Sequence, residues 1–368
     1  MGEQVTDSHV TDLRVGVVGA GKISAVYLDT LTRLPGTRVT AVADLDPARA
    51  EAAARTVPGA RAAGLDELCA AADVDLVLNL TVPAAHAEVA HRAIAAYKHV
   101  YGEKPLAATT GQARELLTAA ASAGVRIGCA PDTVLGTGLQ TARAVLDSGR
   151  IGTPLAATAF MTTPGHELWH PDPDFYYRPG GGPLLDMGPY HLSALVTLLG
   201  PVRRVTGLAA TPRPVRTIAT GPRAGTRVEA EVATHVTGVL EHADGALTTL
   251  LMSFDVWAAR LPHIEVYGTA GSLSVPDPNH FDGQVRLHGA DEAGWSTVPP
   301  SAGYRDAARG HGVADLARSL ALGTPHRAGA ELAYHVLDVM ECLLTATTEG
   351  RQVEVTSTCE RPEAVPFG

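Results

Sequence analysis

Lys104, in the triplet Glu103-Lys104-Pro105, is the residue of this chain with the clearest potential for chemistry. It follows the apolar stretch 99–102, which we predict as a short strand, and it precedes a proline. Ligands of parallel α/β sheets bind beyond the carboxyl ends of the strands, so we expect Lys104 in a cleft. In a dry cleft the pKa of a lysine falls, and the amine can then exchange a proton near neutral pH. We take Lys104 as the candidate general acid–base, with a solvated surface charge as the alternative.

A second group of candidates follows the glycine run 180–182. Asp186 and Tyr190 are four residues apart, so they share a face of the helix that we predict over 184–199. His191 points about a quarter-turn away from them. An Asp–Tyr or Asp–His pair beside a lysine can handle protons, although each residue could also be an ordinary structural polar group.

Residues 166–170 read His-Glu-Leu-Trp-His and match H-E-x-x-H, the motif of zinc metalloproteases. That motif needs two helical turns so that both imidazoles face one metal ion. Prolines and a glycine flank it at 164–165 and 171–173, so we predict a loop without a metal and keep a zinc protease only as an alternative. Aromatic and polar side chains crowd this loop, and they suit a pocket for a polyhydroxylated ring as well as a purely structural loop. They are Trp169, His170, Asp174, Tyr176, Tyr177 and Arg178.

A glycine turn near the start of the chain predicts a dinucleotide site. The apolar run 14–18 is followed by Gly19 and Gly21, the first two positions of G-x-G-x-x-G, with Ser24 at the third and a helical pattern over 25–34. The first glycine allows a tight turn, the second lets the backbone approach a pyrophosphate, and the new helix directs its N–H groups at that anion. The alternative is a glycine turn in an ordinary α/β protein.

The next two predicted strands add residues to this site. Strand 38–43 ends in Asp44, 25 residues after Gly19, near the spacing of a carboxylate that binds the adenosine ribose. A carboxylate would repel a 2′-phosphate, so NAD is favoured over NADP. Strand 75–80 is followed by Thr81-Val82-Pro83 and His86, which should open on the same crevice.

The order of the elements predicts an α/β chain of two domains. Up to about residue 131, strands alternate with helices, which predicts a doubly wound parallel sheet. From residue 154, strand-like segments follow one another with one main helical interruption, which predicts an α+β domain with a large, mostly antiparallel sheet. We predict domains 1–131 and 132–368, and we expect the arginine-containing run 213–227 to be an exposed loop.

Composition narrows the partners and the compartment. The chain has 368 residues, is 45% hydrophobic and carries a net charge of −10, which argues against nucleic acid or an anionic membrane as a partner. The N-terminus is polar and acidic, unlike a signal peptide, and no apolar stretch approaches the about 18 residues of a membrane span. Four scattered cysteines predict neither disulfides nor a zinc cluster, so we expect a cytoplasmic protein.

These motifs together resemble the family of glucose–fructose oxidoreductase and inositol dehydrogenase (Gfo/Idh/MocA), over nearly the whole chain. The Glu103-Lys104-Pro105 triplet and the segment leading to Asp186-x-Gly-x-Tyr190 carry the resemblance most strongly. It implies a Rossmann domain, a C-terminal domain whose open sheet makes a dimer or tetramer, a nicotinamide cofactor, and a sugar or cyclitol substrate.

The resemblance also implies residue roles. Lys104 would be the main proton donor and acceptor, Asp186 would hold the substrate, and Tyr190 would take the place of a histidine of inositol dehydrogenases. Tyrosine at this position resembles the glucose–fructose oxidoreductase branch, so His191 does not simply inherit the histidine role. The candidate catalytic residues are Lys104, Asp186, Tyr190 and His191. The candidate cofactor-binding residues are Gly19, Gly21, Lys22, Ile23, Asp44, Arg49, Thr81, Val82, Pro83, His86, Glu103 and Lys104. The candidate substrate-binding residues are Lys104, Trp169, His170, Tyr177, Arg178, Asp186 and Tyr190.

The resulting function is NAD(P)-dependent hydride transfer between the nicotinamide and a secondary alcohol or ketone of a sugar, glycoside or cyclitol. Two alternatives use the same fold: an NAD-dependent glycosidase or lyase that oxidises its sugar transiently, and a non-catalytic sensor of dinucleotides or sugars.

Overall fold

The computed structural model describes residues 12–368, whose contacts divide the chain into two compact units. The first comprises the described residues up to Asp132 with Ala308–Ala330, and the second comprises Thr133–Ala307 with Glu331–Gly368. The predicted domains, 1–131 and 132–368, differ from these units at Asp132 and over Ala308–Ala330. That segment belongs with the first unit because its Val313 is buried in the same apolar cluster as the first strands. The prediction of no signal peptide concerns residues 1–12, almost all outside the described part of the chain.

The described chain contains the following regular elements. The strands are β1 (Leu13–Val18), β2 (Thr37–Ala43), β3 (Arg61–Ala62), β4 (Leu76–Asn79), β5 (His99–Gly102), β6 (Ile127–Cys129), β7 (Pro154–Thr162), β8 (Val202–Ala210), β9 (Val215–Thr217), β10 (Arg227–Glu229), β11 (His235–His242), β12 (Leu247–Ser253), β13 (Ile264–Gly268), β14 (Gly271–Val275), β15 (Val285–Gly289), β16 (Ser296–Val298) and β17 (Val353–Glu354). The helices are α1 (Ser24–Leu31), α2 (Pro47–Ala54), α3 (Leu65–Ala70), α4 (Pro83–Ala95), α5 (Thr110–Ala123), α6 (Thr137–Asp147), α7 (Pro183–Leu199), α8 (His311–Leu322) and α9 (Ala330–Glu349). Short 3₁₀ helices occupy Asp132–Leu135, His166–Leu168 and Asp174–Tyr176.

The first unit is built on a parallel sheet with the strand order β3-β2-β1-β4-β5-β6. This confirms the predicted doubly wound sheet. The order of the strands reverses between β1 and β4, which is the topological switch point of the sheet. In such folds, ligands bind in the crevice at the carboxyl ends of the two strands that flank this point. Strands β1, β2 and β4 are almost wholly buried, as strands covered by helices on both faces must be.

Local chemistry explains the helix boundaries of this unit. The Asp46 carboxylate accepts a hydrogen bond from the first turn of α2, and the Thr109 hydroxyl accepts one from the Gln112 N–H at the start of α5. Gly124 ends α5 in the left-handed region with φ = 68°, which a residue without a Cβ adopts at little cost. Each of these boundaries is therefore set by one residue of the type that helix ends favour.

The second unit is built on a nine-stranded sheet in the order β16-β15-β14-β13-β7-β12-β11-β8-β17. All its neighbouring strands are antiparallel except β7 and β12, which are parallel, so the predicted mostly antiparallel sheet is confirmed. Helices α6 and α7 contact one face of it. The helix α9 side chain Leu343 lies so close to β8 and β11 that a Cβ at Gly207 or Gly238 would be under 3 Å from it.

The other face of this sheet carries apolar side chains that the chain itself leaves exposed. Leu208, Val239 and Leu247 project from β8, β11 and β12 on this face, because Leu208 pairs with Thr237 and Val239 with Thr249 in the ladders. Leu251 of β12 is half-buried beside them. The result is an open sheet face, as the family resemblance implied.

The expectation of an exposed loop over 213–227 is correct for most of these residues, which are exposed, but it is wrong for Arg216 and for the two short strands at the ends of the run. Strands β9 and β10 pair as an antiparallel hairpin, and only 1% of the Arg216 side chain is exposed. A guanidinium can be buried where carboxylates neutralise it, and here residues distant in sequence supply those carboxylates.

Within residues 12–368, no helix is long and apolar enough to cross a membrane.

Candidate active site

The glycine turn joins β1 to α1 in the first unit. Gly19 has φ = +101°, and a Cβ there would lie 2.7 Å from the backbone carbonyl carbon and oxygen of Leu80. Gly19 therefore permits both the turn and a close approach to the end of β4. A Cβ at Gly21 would meet nothing within 4 Å, so the backbone there faces open space. Ser24, at the third position, is buried and donates its hydroxyl to the Gly21 carbonyl at 2.7 Å.

Asp44 is tied directly to this turn. Its Oδ2 accepts a hydrogen bond from the Ala20 N–H at 2.7 Å, and its Oδ1 accepts one from the Asp46 N–H at 2.9 Å. The carboxylate is half-buried and acts only as an acceptor, which suits the hydroxyl groups of a ribose. Lys22 and Arg49 are exposed around the turn, and the Arg49 Nε lies 3.6 Å from the Asp46 Oδ2.

The residues therefore fit a dinucleotide. Open space at Gly21 allows the close backbone approach that a pyrophosphate needs, and Asp44 supplies an acceptor beside it. Ile23, the residue before α1, completes the turn at the helix N-terminus, where the helix dipole favours an anion.

The β4 end is organised by a buried histidine. The His86 Nδ1 lies 2.7 Å from the Pro105 carbonyl oxygen, and the Nε2 lies 3.0 Å from the Thr81 carbonyl oxygen. Burial lowers the pKa of His86, although the two carbonyls oppose this shift. The ring thus joins the turn after β4 to the triplet after β5, and Val82 in that turn is exposed beside Pro83, the first residue of α4.

The triplet itself is fixed from α1. The hydroxyl of Tyr27 donates to the Glu103 Oε1 at 2.8 Å, and the Lys104 N–H donates to the Glu103 Oε2 at 3.1 Å. Tyr27 is fully buried, and burial raises the pKa of its hydroxyl, with the Glu103 charge adding to the shift. Lys104 is half-buried directly after β5. In this unit the structure brings together the residues predicted around the glycine turn and those predicted around Lys104 along one edge of the sheet.

The second unit carries the other candidates at the start of α7. Asp186 lies in the first turn, and its Oδ2 is 3.0 Å from the His166 Nε2. Tyr190, one turn later, is largely buried. His191 is 1% exposed, and burial lowers its pKa to about 4. Its Nδ1 faces the Met187 carbonyl at 3.3 Å, so the structure places this candidate in the helix–sheet core rather than at a surface that a substrate can reach.

The loop around the H-E-x-x-H sequence forms only a single 3₁₀ turn, His166–Leu168, so the prediction that helix breakers prevent a long helix is confirmed. Trp169 is 53% exposed, and Arg178 is also exposed, while His170 is half-buried. Tyr177 has no exposed surface: its hydroxyl donates to Glu167 and accepts from the His166 N–H at 3.1 Å. Tyr177 is therefore a supporting residue here, unlike its expected place in the substrate wall.

A buried ionic network that the sequence did not predict supports this loop. The Arg216 Nη1 lies 3.3 Å from the Glu167 Oε1, and its Nη2 lies 2.6 Å from the Asp255 Oδ1. Arg213 adds a second bond to Asp255 at 3.0 Å. Further out, Arg223 bonds Asp174 and Asp172. These ion pairs attach the β9–β10 hairpin to the aromatic loop.

Among residues 12–368, no cluster of His, Cys, Asp or Glu side chains could hold a metal ion.

Comparisons with known proteins agree with this geometry. Residues 13–130 match the oxidoreductase family with an NAD-binding Rossmann fold, and residues 139–274 match the GFO/IDH/MocA C-terminal domain. The chain is 35% identical over 252 residues to a dTDP-3,4-didehydro-2,6-dideoxy-alpha-D-glucose 3-reductase of Streptomyces violaceoruber, covering 66% of this chain and 71% of that protein. It is 30% identical over 266 residues to a 1,5-anhydro-D-fructose reductase of Ensifer adhaerens, covering 71% and 74%. An NAD-binding oxidoreductase of Klebsiella pneumoniae has the same fold, with a TM-score of 0.82 and 25% identity over 94% of this chain and 100% of that one.

The fold and the glycine turn thus define an oxidoreductase with an NAD-binding Rossmann domain. The chain belongs to the Gfo/Idh/MocA family, which confirms the resemblance drawn from its motifs.

Proposed function

We propose that this protein catalyses reversible, NAD-dependent interconversion of a secondary alcohol and a ketone on a sugar or cyclitol. The observation that carries the proposal is the continuous edge of the first sheet. There, Gly21 leaves open space, Asp44 is bonded to the turn, and Lys104 follows the next strand but one. Bound nicotinamide supplies the hydride chemistry, and the protein orients it and moves the proton.

The cofactor is NAD rather than NADP because Asp44 faces the place of the adenosine ribose. Its carboxylate can accept hydrogen bonds from both ribose hydroxyls, and its charge would repel a 2′-phosphate. Both carboxylate oxygens are already held by backbone N–H groups, so the charge is fixed in position before the cofactor binds.

Lys104 is the proton carrier in this proposal. During oxidation its Nζ takes the proton that leaves the substrate hydroxyl, and during reduction it returns a proton to the carbonyl oxygen. Asp186 and Tyr190 hold the substrate, while Trp169, His170 and Arg178 form the surrounding wall. Tyr177 and His191 serve as structural residues, because the Tyr177 hydroxyl is already bonded to Glu167 and to the His166 N–H, and the His191 Nδ1 faces a backbone carbonyl of its own helix.

Two similar proteins support a sugar substrate, since both are named as reductases of sugar derivatives. An exposed indole beside carboxylate and guanidinium groups also suits a ring with C–H faces and several hydroxyl groups. The alternative on the same fold is a glycosidase or lyase that oxidises its sugar only transiently. It would cleave a glycoside without net formation of NADH.

Assembly and compartment complete the proposal. The exposed apolar side chains of the open sheet, Leu208, Val239 and Leu247, support a homodimer or homotetramer formed through that face. The four cysteines are all free thiols in the structure, which supports a reducing, cytoplasmic environment.

The test is a screen of NAD and NADP reduction with monosaccharides, glycosides and inositols, followed by variants of Lys104. Lys104→Met keeps the length of the side chain but removes the amine, so kcat falls by about 100-fold or more while the Kd for NAD stays unchanged. Lys104→Arg is the matched control for charge: it keeps the cation but titrates too high to act as a base, so it is also slow. Full turnover by Lys104→Met would refute the role of Lys104. Binding of NAD without turnover of any sugar by the wild type would favour a sensor.

A further inference from the structure

His166 is the first residue of the H-E-x-x-H sequence, but that sequence forms only a 3₁₀ turn here, and the proposed chemistry gives His166 no role. Its Nε2 lies 3.0 Å from the Asp186 Oδ2, and only 9% of the His166 side chain and 18% of the Asp186 side chain are exposed. We propose that His166 is the positioning residue for Asp186, and that it fixes the direction in which this carboxylate meets the substrate. This inference rests on the proposed function, in which Asp186 holds the substrate.

The contact also sets the tautomer of the imidazole. An ionised carboxylate only accepts hydrogen bonds, so the proton of this bond must lie on the His166 Nε2. The Nδ1 is buried and, among the described residues, has no hydrogen-bond partner. A proton on Nδ1 would leave a buried donor unsatisfied, so the geometry favours the Nε2–H form, which directs its one N–H at Asp186.

Three aromatic rings surround the His166 imidazole and restrict its rotation. The His166 ring centroid lies 4.1 Å from that of Tyr176, 4.3 Å from that of Phe254 and 5.2 Å from that of Trp169. Tyr176 and Trp169 meet it edge-on, and Phe254 is tilted against it. A ring enclosed on several sides cannot turn away from the carboxylate without moving its neighbours.

The backbone of His166 is held as firmly as its ring. Its N–H donates to the Tyr177 hydroxyl at 3.1 Å, and that hydroxyl donates to Glu167. Glu167 is in turn paired with the buried Arg216 of the β9–β10 hairpin. The histidine and the glutamate of the apparent zinc motif therefore have two separate roles. Glu167 anchors the turn, and His166 orients the Asp186 carboxylate.

Precise orientation matters because Asp186 would bind a hydroxyl group through directional hydrogen bonds. A carboxylate that can rotate about its last bond presents the correct lone pair for only part of the time, and ordering it then weakens substrate binding. Loss of one hydrogen bond to a charged group corresponds to about a 10- to 100-fold change in an equilibrium.

The test compares His166→Phe with His166→Gln in the full-length protein. Phenylalanine fills the aromatic enclosure without a donor, while the glutamine amide can place an N–H near the position of the Nε2. We expect His166→Phe to lower kcat/KM for the sugar by about 10- to 100-fold with an unchanged Kd for NAD, and His166→Gln to recover most of that loss. The matched control is His288→Phe, because the His288 ring also packs edge-on against a tryptophan, Trp295, but lies outside the proposed site. It should leave kcat/KM unchanged.

Two results would overturn the inference: wild-type kcat/KM in His166→Phe, or equal losses in both His166 variants together with equal losses of stability. A second measurement needs neither turnover nor a folded His166 variant. Imidazole ¹⁵N NMR of the wild type should show His166 as the Nε2–H tautomer, and Asp186→Asn should shift its Nε2 resonance. An Nδ1–H tautomer, or no response to Asp186→Asn, would exclude the contact. If no sugar is oxidised by the wild type, the proposed function fails, while the NMR result still decides whether His166 orients Asp186.

Discussion

Two glycines of the same turn should fail in different ways when each is replaced by alanine. Gly19 has φ = +101°, and its Cβ would lie 2.7 Å from the backbone of Leu80. Backbone strain of about 1–3 kcal/mol adds to a cost of about 1–3 kcal/mol for overpacking, so Gly19→Ala should destabilise the first unit by about 2–6 kcal/mol. The loss of NAD binding in this variant would be a consequence of the damaged fold.

Gly21→Ala should leave the fold intact and still abolish tight binding. Its Cβ would meet no protein atom within 4 Å, and the backbone there is outside the left-handed region. Its effect on stability should stay within about 1 kcal/mol, with a slight gain expected because alanine restricts the unfolded chain. The new methyl group would instead stand where the pyrophosphate approaches the backbone. Loss of one charge-assisted hydrogen bond there would raise the Kd for NAD by about 10- to 100-fold.

The assay pairs urea unfolding, followed by far-ultraviolet circular dichroism, with isothermal titration of NAD. Gly21→Ala should separate the two readouts: a wild-type unfolding midpoint with a weakened Kd. Wild-type affinity in Gly21→Ala would refute the placement of the pyrophosphate at this turn. A midpoint for Gly19→Ala equal to that of the wild type would refute the packing argument at the end of β4.

Two further predictions concern the second unit. Arg216→Met should destabilise the second unit by about 3–5 kcal/mol, because two buried carboxylates lose their common cation. The control is Arg351→Met, which removes the exposed ion pair of Arg351 with Glu349 and should cost under about 1 kcal/mol. Tryptophan fluorescence during urea unfolding reports both, since the three tryptophans all belong to this unit, and equal effects would contradict the burial argument. Burial lowers the pKa of His335 to about 4 from 6.5, and its Nε2 accepts a bond from the Val202 N–H, which requires the neutral ring. As the pH falls, the unfolded chain therefore binds the proton before the folded protein does. The contribution of His335 to the free energy of unfolding, about 3 kcal/mol, is present above pH 6.5 and is lost as the pH falls to 4. His335→Asn should reduce that pH dependence.

Most of the fold can be predicted from short stretches of the sequence. Asp46 and Thr109 cap their helices, and Gly124 ends α5, which are the positions that these residue types favour. These features depend on a few neighbouring residues, so a short window contains the whole interaction. The alternation of apolar runs likewise predicted the parallel sheet, because strands buried on both faces leave that mark in any α/β chain.

Partners distant in sequence account for what the sequence did not reveal. Arg216 was expected on an exposed loop together with the rest of the run 213–227, but its carboxylate partners lie 49 and 39 residues away at Glu167 and Asp255. Tyr177 was predicted in a substrate wall because aromatic and polar side chains crowd its loop, although its hydroxyl donates to Glu167. The two available signals were an acidic residue in a loop too broken for a zinc site, and an arginine-rich run, 213–227, that contains no acidic residue.

The glycine turn and the Glu103-Lys104-Pro105 triplet are also connected by a residue that belongs to neither motif. Tyr27 lies on α1, directly after the glycine turn, and its hydroxyl reaches the Glu103 carboxylate at 2.8 Å. The other oxygen of that carboxylate accepts a hydrogen bond from the Lys104 N–H, so the helix that begins at the glycine turn also fixes the backbone of the proposed proton carrier. No periodicity predicts such a bond, because Tyr27 looks like an ordinary apolar position of an amphipathic helix. A buried phenol can serve the core through its ring and the site through its oxygen, and only the structure distinguishes those two uses.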